Sequence, residues 1–164
     1  YARTILTNTT NGDLNDAALD QGADVNNGVI HRTRTDQRNH GITAQLGYDG
    51  PLLGLASQSL VGAAADFSDS HFVQEAEPGW LNPDRSVTGT GASDATGHVD
   101  LSGRTRTLSV FASTVLALSR DTHLSLSGRY NHTTVRNRDA INPGGGPGSL
   151  DGDQRFSRFN PALG

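Results

Sequence analysis

A side-chain alternation of period two constrains this chain more than any other feature. In Leu124-Ser125-Leu126-Ser127-Gly128-Arg129-Tyr130-Asn131, the apolar Leu124, Leu126 and Tyr130 fall on one parity, and Ser125, Ser127 and Arg129 on the other. Successive side chains of a β-strand point to opposite faces, so residues 122–131 are predicted as a strand with one apolar and one polar face. Residues 105–118 repeat the pattern, with Leu108, Val110, Ala112, Leu116 and Leu118 set against Thr107, Ser109 and Ser113. The polar link Ser119-Arg120-Asp121 between the two runs predicts an antiparallel hairpin. A second hairpin is predicted upstream, where Ile42, Ala44, Leu46 and Tyr48 alternate with Thr43, Gln45 and Asp49. Asp49-Gly50-Pro51 supplies its turn, and its return strand covers residues 55–67, with Val61, Ala63, Ala65 and Phe67 on the more apolar parity.

Composition narrows what such strands can belong to. The 20 glycines, with abundant Ser, Thr, Asn and Asp, favour strands and turns over helices. Aromatic residues make up 5% of the chain, and no run is apolar enough to cross a membrane as a helix, so any membrane role falls to strands. The absence of cysteine excludes disulfides and thiolate metal sites. All 13 basic residues are arginines, scattered through a chain of net charge -4, which argues against a nucleic-acid surface. With no Met and no signal-like start, the chain is expected to be a processed or truncated piece.

Segments 7–39, 68–103 and 136–153, rich in Gly, Asp, Asn, Pro and Ser, read as long loops, and residues 1–6 and 155–164 as terminal strand pieces. The links then alternate between long and short, the pattern of an outer-membrane barrel with short periplasmic turns and long outer loops. The expected fold is all-β: antiparallel up-and-down strands forming part of a transmembrane β-barrel. Residues 1–164 supply about six strands, fewer than the roughly eight that closure requires. Open sheet edges would favour self-association. In this frame Ser127 and Arg129 face the lumen, and Tyr48 and Tyr130 form an interfacial aromatic girdle or are ordinary sheet-surface tyrosines.

The same residues resemble a family. Ser109-Val110-Phe111-Ala112, a short turn, and the strand ending in Gly128-Arg129-Tyr130-Asn131 resemble a barrel hairpin of TonB-dependent receptors. The run from Arg155 to Gly164, with Asn160-Pro161-Ala162-Leu163-Gly164, resembles the Asn-Pro-x-x-Gly strand after the next outer loop. Leu60-Val61-Gly62-Ala63-Ala64-Ala65-Asp66-Phe67 is similar to a strand climbing into a long loop, and Asn11-Gly12-Asp13 to part of the loop before it. The resemblance implies a barrel of about 22 strands filled by an N-terminal plug. It also implies residence in the outer membrane of a Gram-negative bacterium, and import of ferric siderophores or similar scarce nutrients with energy from TonB. No plug is recognisable here, so TonB would be contacted only through a region outside this chain. Expected partners are outer-membrane lipid, lipopolysaccharide and a ferric chelate or similar small ligand.

Candidate chemistry is sparse. His31, His40, His71, His98, His123 and His132 show no metal-ligand spacing. Asp13, Asp16, Asp20 and Asp24 depart from the EF-hand pattern, and Gly144-Gly145-Gly146-Pro147-Gly148 lacks the Lys-Ser/Thr of a phosphate loop and reads as flexible loop. Asn8-Thr9-Thr10 and Asn131-His132-Thr133 match the glycosylation acceptor, a motif that carries no weight in a bacterial protein. No catalytic residue, metal or cofactor is expected, and an enzyme is not. Arg32, Arg34, Arg136 and Arg138 beside the outer loops, with Phe72 and Trp80 within one, are the candidate ligand contacts, through ion pairing and stacking with an anionic ring-bearing chelate. The competing reading gives them to loop support or lipopolysaccharide. Two further functions fit the sequence: a β-rich surface or fibre subunit joined through edge strands, and a soluble secreted β-sandwich binding module.

Overall fold

The computed structural model describes residues 2–15 and 26–164. Its regular elements are all strands: β1 (Ala2–Leu14), β2 (Gly28–Leu52), β3 (Leu55–Leu81), β4 (Val87–Gly89), β5 (Asp94–Ala117), β6 (His123–Asp139) and β7 (Gly152–Leu163). They form one antiparallel up-and-down sheet of order β1-β2-β3-β5-β6-β7, with β4 paired to the far end of β3. The sheet is open, and no second sheet faces it among the described residues.

The predicted hairpin of residues 105–131 forms, with Leu108 opposite His132, Ala112 opposite Gly128 and Leu116 opposite Leu124. Its turn is closed by Leu118 N and Ser119 N donating to Thr122 O at 3.0 and 3.2 Å. The upstream hairpin also forms, but its turn is Leu53-Gly54 and not Asp49-Gly50-Pro51. Leu52 pairs with Leu55, and Leu53 and Gly54 both take positive φ, 54° and 83°, the primed conformation that suits strand twist. Pro51 pairs with Ala56 inside the ladder. It is tolerated there because β1 reaches β2 only between Gly28 and His40, so this end of β2 is an edge that needs no further donor.

The three expected long loops are largely strand. β2, β3 and β5 are 25, 27 and 24 residues long, far beyond the roughly 5–6 residues usual in globular proteins. Asn11-Gly12-Asp13, expected in a loop, lies on β1. Segments such as Arg32-Thr33-Arg34-Thr35-Asp36 are polar on both faces, so hydrophobic parity says nothing about them. Their backbone nonetheless pairs, helped by β-branched Thr and by cross-strand charges. Among the described residues the connections left are 53–54, 82–93 with β4 inside it, 118–122 and 140–151, in the order short, long, short, long.

Register aligns the parities across the sheet. Ala44, Ala63, Val110, Tyr130 and Phe159 form one row from β2 to β7, and Ile42, Ala65, Leu108, His132 and Ser157 the next. Paired residues share a face, so these rows make one continuous front face, while Gln45, Gly62, Phe111, Arg129 and Asn160 make a row of the back face. Along β5, front-face Arg104, Arg106, Leu108 and Val110 are exposed, whereas back-face Thr105, Thr107 and Ser109 are half-buried or buried. Apolar burial is minimal: among the described residues only Ala76 and Leu116 are buried hydrophobics.

Candidate functional site

The front face is divided into two bands. One half carries Ile42, Leu46, Tyr48, Val61, Leu108, Val110, Leu126, Tyr130, Phe159 and Leu163, all exposed, with Leu46 70% and Val110 57% accessible. The other half, on the same parity of the same strands, is charged. Arg104 Nε meets Asp69 at 2.7 Å, Arg136 and Arg138 converge on Asp153 at 3.3 and 3.0 Å, and His71 Nε2 lies 2.8 Å from Asp100. Arg34 pairs with Asp36 two residues along β2, and Arg32 reaches across to Glu77 on β3.

The back face opposite the apolar band is mostly polar, with Leu60, Phe111 and Val115 interspersed. Its centre is Ser109, which is buried and donates from Oγ to Asn131 Oδ1 at 2.8 Å. Arg129 donates to the same two side chains, Nη2 to Ser109 Oγ at 2.9 Å and Nε to Asn131 Oδ1 at 2.8 Å, and its guanidinium lies 5.7 Å from the Phe111 ring centroid. Large apolar side chains thus lie exposed on the front face, Leu116 excepted, while Ser109, Arg129 and Asn131 are joined by hydrogen bonds on the back face.

The candidate contacts converge in part: Arg34, Arg136 and Arg138 line one open concavity, which Phe72 and Trp80 do not join. Arg32, Arg34, Arg136 and Arg138 stand on the charged half of the front face, on β2 and β6. Phe72 and Trp80 alternate with His71 and Glu77 on β3, which puts them on the back face. All six lie on strands and none in a loop, since β3 runs to Leu81 and β6 to Asp139. All six numbers are even, so parity alone does not separate them: front-face positions are even on β2 and β6 but odd on β3, an offset set by the register of the strands and readable only once these are known to extend through the polar segments. Arg106 and Arg155, which sequence reasoning left out, stand at the border between the two bands. The signal was the Arg104-x-Arg106 spacing leading straight into the apolar parity of β5.

Carboxylates order the strand connections at the charged end. Asp139 Oδ1 accepts from Ile141 N and Asn142 N at 2.9 and 3.0 Å, and Oδ2 from Leu150 N at 3.0 Å. Asp151 accepts from Asp139 N at 2.6 Å and Gly144 N at 2.8 Å. These amide donors hold both carboxyls below the usual range. The glycine run 144–148 therefore sits in a connection tied at both ends, with positive φ at Gly144, Gly145 and Gly148. Glu77 is likewise lowered, first by Arg32 and then by Gly91 N, which donates to it at 2.6 Å and folds residues 90–93 onto the sheet. Asp84 is lowered by the Ser86 hydroxyl and amide. Val87 seats against Gly12, Gly28 and Gly79; a Cβ at Gly28 or Gly79 would collide with it or with neighbouring backbone, and one at Gly12 would press on it.

Among the described residues no group of three His, Asp or Glu is placed to hold a metal ion; Asp16, Asp20 and Asp24 lie outside them. Among the described residues no helix is long and apolar enough to cross a membrane. No protein-family model and no curated protein matches this sequence.

Proposed function

We propose that this chain is wall and outer connections of an outer-membrane β-barrel, part of a TonB-dependent receptor that takes up ferric siderophores or similar scarce nutrients. The observation that carries the membrane part is the exposed apolar band on the front face, backed by the hydrogen-bonded polar cluster of Ser109, Arg129 and Asn131 on the other. Lipid satisfies no backbone hydrogen bonds, so a sheet within it must pair its strands, turn apolar side chains outward and keep polar ones inside. The band has the right height. On β3 it runs over residues 55–67, which at roughly 3.3 Å per residue and a tilt of about 45° spans close to the 30 Å of a hydrocarbon core. The remaining length of β2, β3 and β5 then rises beyond the membrane as a charged wall.

The receptor part rests on the hairpin ending in Gly128-Arg129-Tyr130 and on Asn160-Pro161-Ala162-Leu163-Gly164, which pairs beside it in β7. In this reading Arg32, Arg34, Arg136 and Arg138 face the exterior of the wall, where ion pairs and lipopolysaccharide are their partners. Phe72 and Trp80 face the lumen and remain the candidates for contact with a nutrient chelate. The fibre-subunit alternative draws on the same open sheet, whose outer strands β1 and β7 each have one free side.

Refolding from urea tests the proposal. Transfer into lipid vesicles should give a sheet-rich, vesicle-bound chain whose strands resist added protease, while dilution into buffer should give aggregate. Regular assemblies or a monodisperse protein in buffer alone would point to the fibre subunit or the secreted module instead. The receptor itself is tested by the flanking sequence of the parent reading frame, which should encode a plug and further strands.

A further inference from the structure

The border between the two front-face bands is a row formed by His40, Phe67, Arg106, Thr134 and Arg155 on successive strands. Arg106 and Arg155 are exposed, flank Thr134 on β6, and are ion-paired to nothing among the described residues. Their neighbours one row into the charged half differ: Arg104 is matched by Asp69, and Arg136 shares Asp153 with Arg138. Two strand spacings separate Arg106 from Arg155, roughly 9–10 Å, a gap that two arginine side chains close from either side. Both line one concavity with Arg104, Arg136, Thr134 and His132, whose one carboxylate is the already paired Asp153. His132, its Nδ1 2.8 Å from Ser157 Oγ, also lines an apolar groove that continues down the sheet past Leu108, Val110 and Tyr130.

We infer that this place on β5 to β7 is a binding site for a phosphate-bearing lipid. The guanidiniums of Arg106 and Arg155 take the phosphate oxygens, and the acyl chains lie along the groove below. Two unmatched guanidiniums facing one another gain most from an anion with several oxygens and close to two charges, and a phosphate monoester offers both where a lone carboxylate does not. A lipid is favoured over a free anion because the cationic concavity opens directly onto an apolar groove, so headgroup and chains are satisfied together. The inference rests on the reading of the front face as the lipid-facing one.

The test is retention of lipid by the chain refolded in neutral detergent, read by native mass spectrometry with phosphatidic acid and phosphatidylcholine of equal chain length. Phosphatidic acid should be retained at least about tenfold better, the range expected for charged hydrogen bonds to a bound anion. The R106A/R155A variant should lose that preference and R120A, in the turn at the other end of the sheet, should keep it. R155A alone, on an outermost strand, keeps the test open if the double variant does not fold, and should show a several-fold loss. Millimolar inorganic phosphate should not displace the lipid. Equal retention of the two lipids, an unchanged preference in R155A, or displacement by inorganic phosphate would each overturn the lipid site while leaving the barrel reading intact. A chain that never enters detergent or vesicles would overturn both.

Discussion

Leu53 occupies a left-handed conformation that side-chain-bearing residues avoid, at φ 54°, and 91% of its surface is exposed, so it gains nothing in packing. Leu53→Asn creates the Asn-Gly pair that two-residue hairpins favour, and should stabilise the β2–β3 hairpin by about 1 kcal/mol, read as a higher urea midpoint of unfolding from vesicles. Leu53→Val should move it the other way. Asp139 and Asp151 make a different residue-scale prediction. Their carboxyls are held below the usual range by amide donors, so their contribution is complete above the ordinary carboxylate value and is lost as pH falls through the lowered one. The amide resonances of Ile141, Asn142, Leu150 and Gly144 should therefore hold steady through mildly acidic pH and move together only below the usual carboxylate range. In Asp139→Ala the connection of residues 140–151 should become open to protease at neutral pH.

At the scale of the element, the same strand performs two jobs on one face. β5 presents Leu108 and Val110 in its apolar stretch and Arg104 and Arg106 beyond it, without any change of parity. Val110→Arg should lower stability in vesicles by about 2–4 kcal/mol, the cost of a cation near the bilayer midplane, while Thr107→Arg on the back face should cost much less, as equilibrium unfolding of the two variants would show. This division also explains what could be read in advance. The hairpin of residues 105–131 and the residue 42–67 pair were legible because one of their faces is apolar. The upper halves of β2, β3 and β5 were not, because Arg, Thr, Asp and Gln on both faces look like loop to any test based on hydrophobicity. The same blindness hid the candidate site: with Arg32 and Phe72 assigned to or beside loops, nothing showed that one faces away from the other. Asp49-Gly50-Pro51 misled for a local reason, since the edge position of Pro51 removed the penalty that usually ends a strand there.

For the whole molecule, the central fact is an inside-out sheet. Large apolar side chains stand exposed on the front face, buried hydrophobics are nearly absent among the described residues, and polar side chains knit the opposite face through Ser109, Arg129 and Asn131. In water such a sheet would have to cover its front face with another copy or aggregate. The most direct measurement is a single-cysteine scan of β5 in lipid vesicles, made clean by the absence of native cysteine. With an environment-sensitive label at each position, Leu108, Val110, Ala112 and Thr114 should be quenched by brominated acyl chains, and Thr107, Phe111 and Ser113 by aqueous iodide instead. Quenching by brominated lipid that shows no period of two along these residues, or that falls on Thr107, Phe111 and Ser113, would contradict the assignment of the front face to lipid.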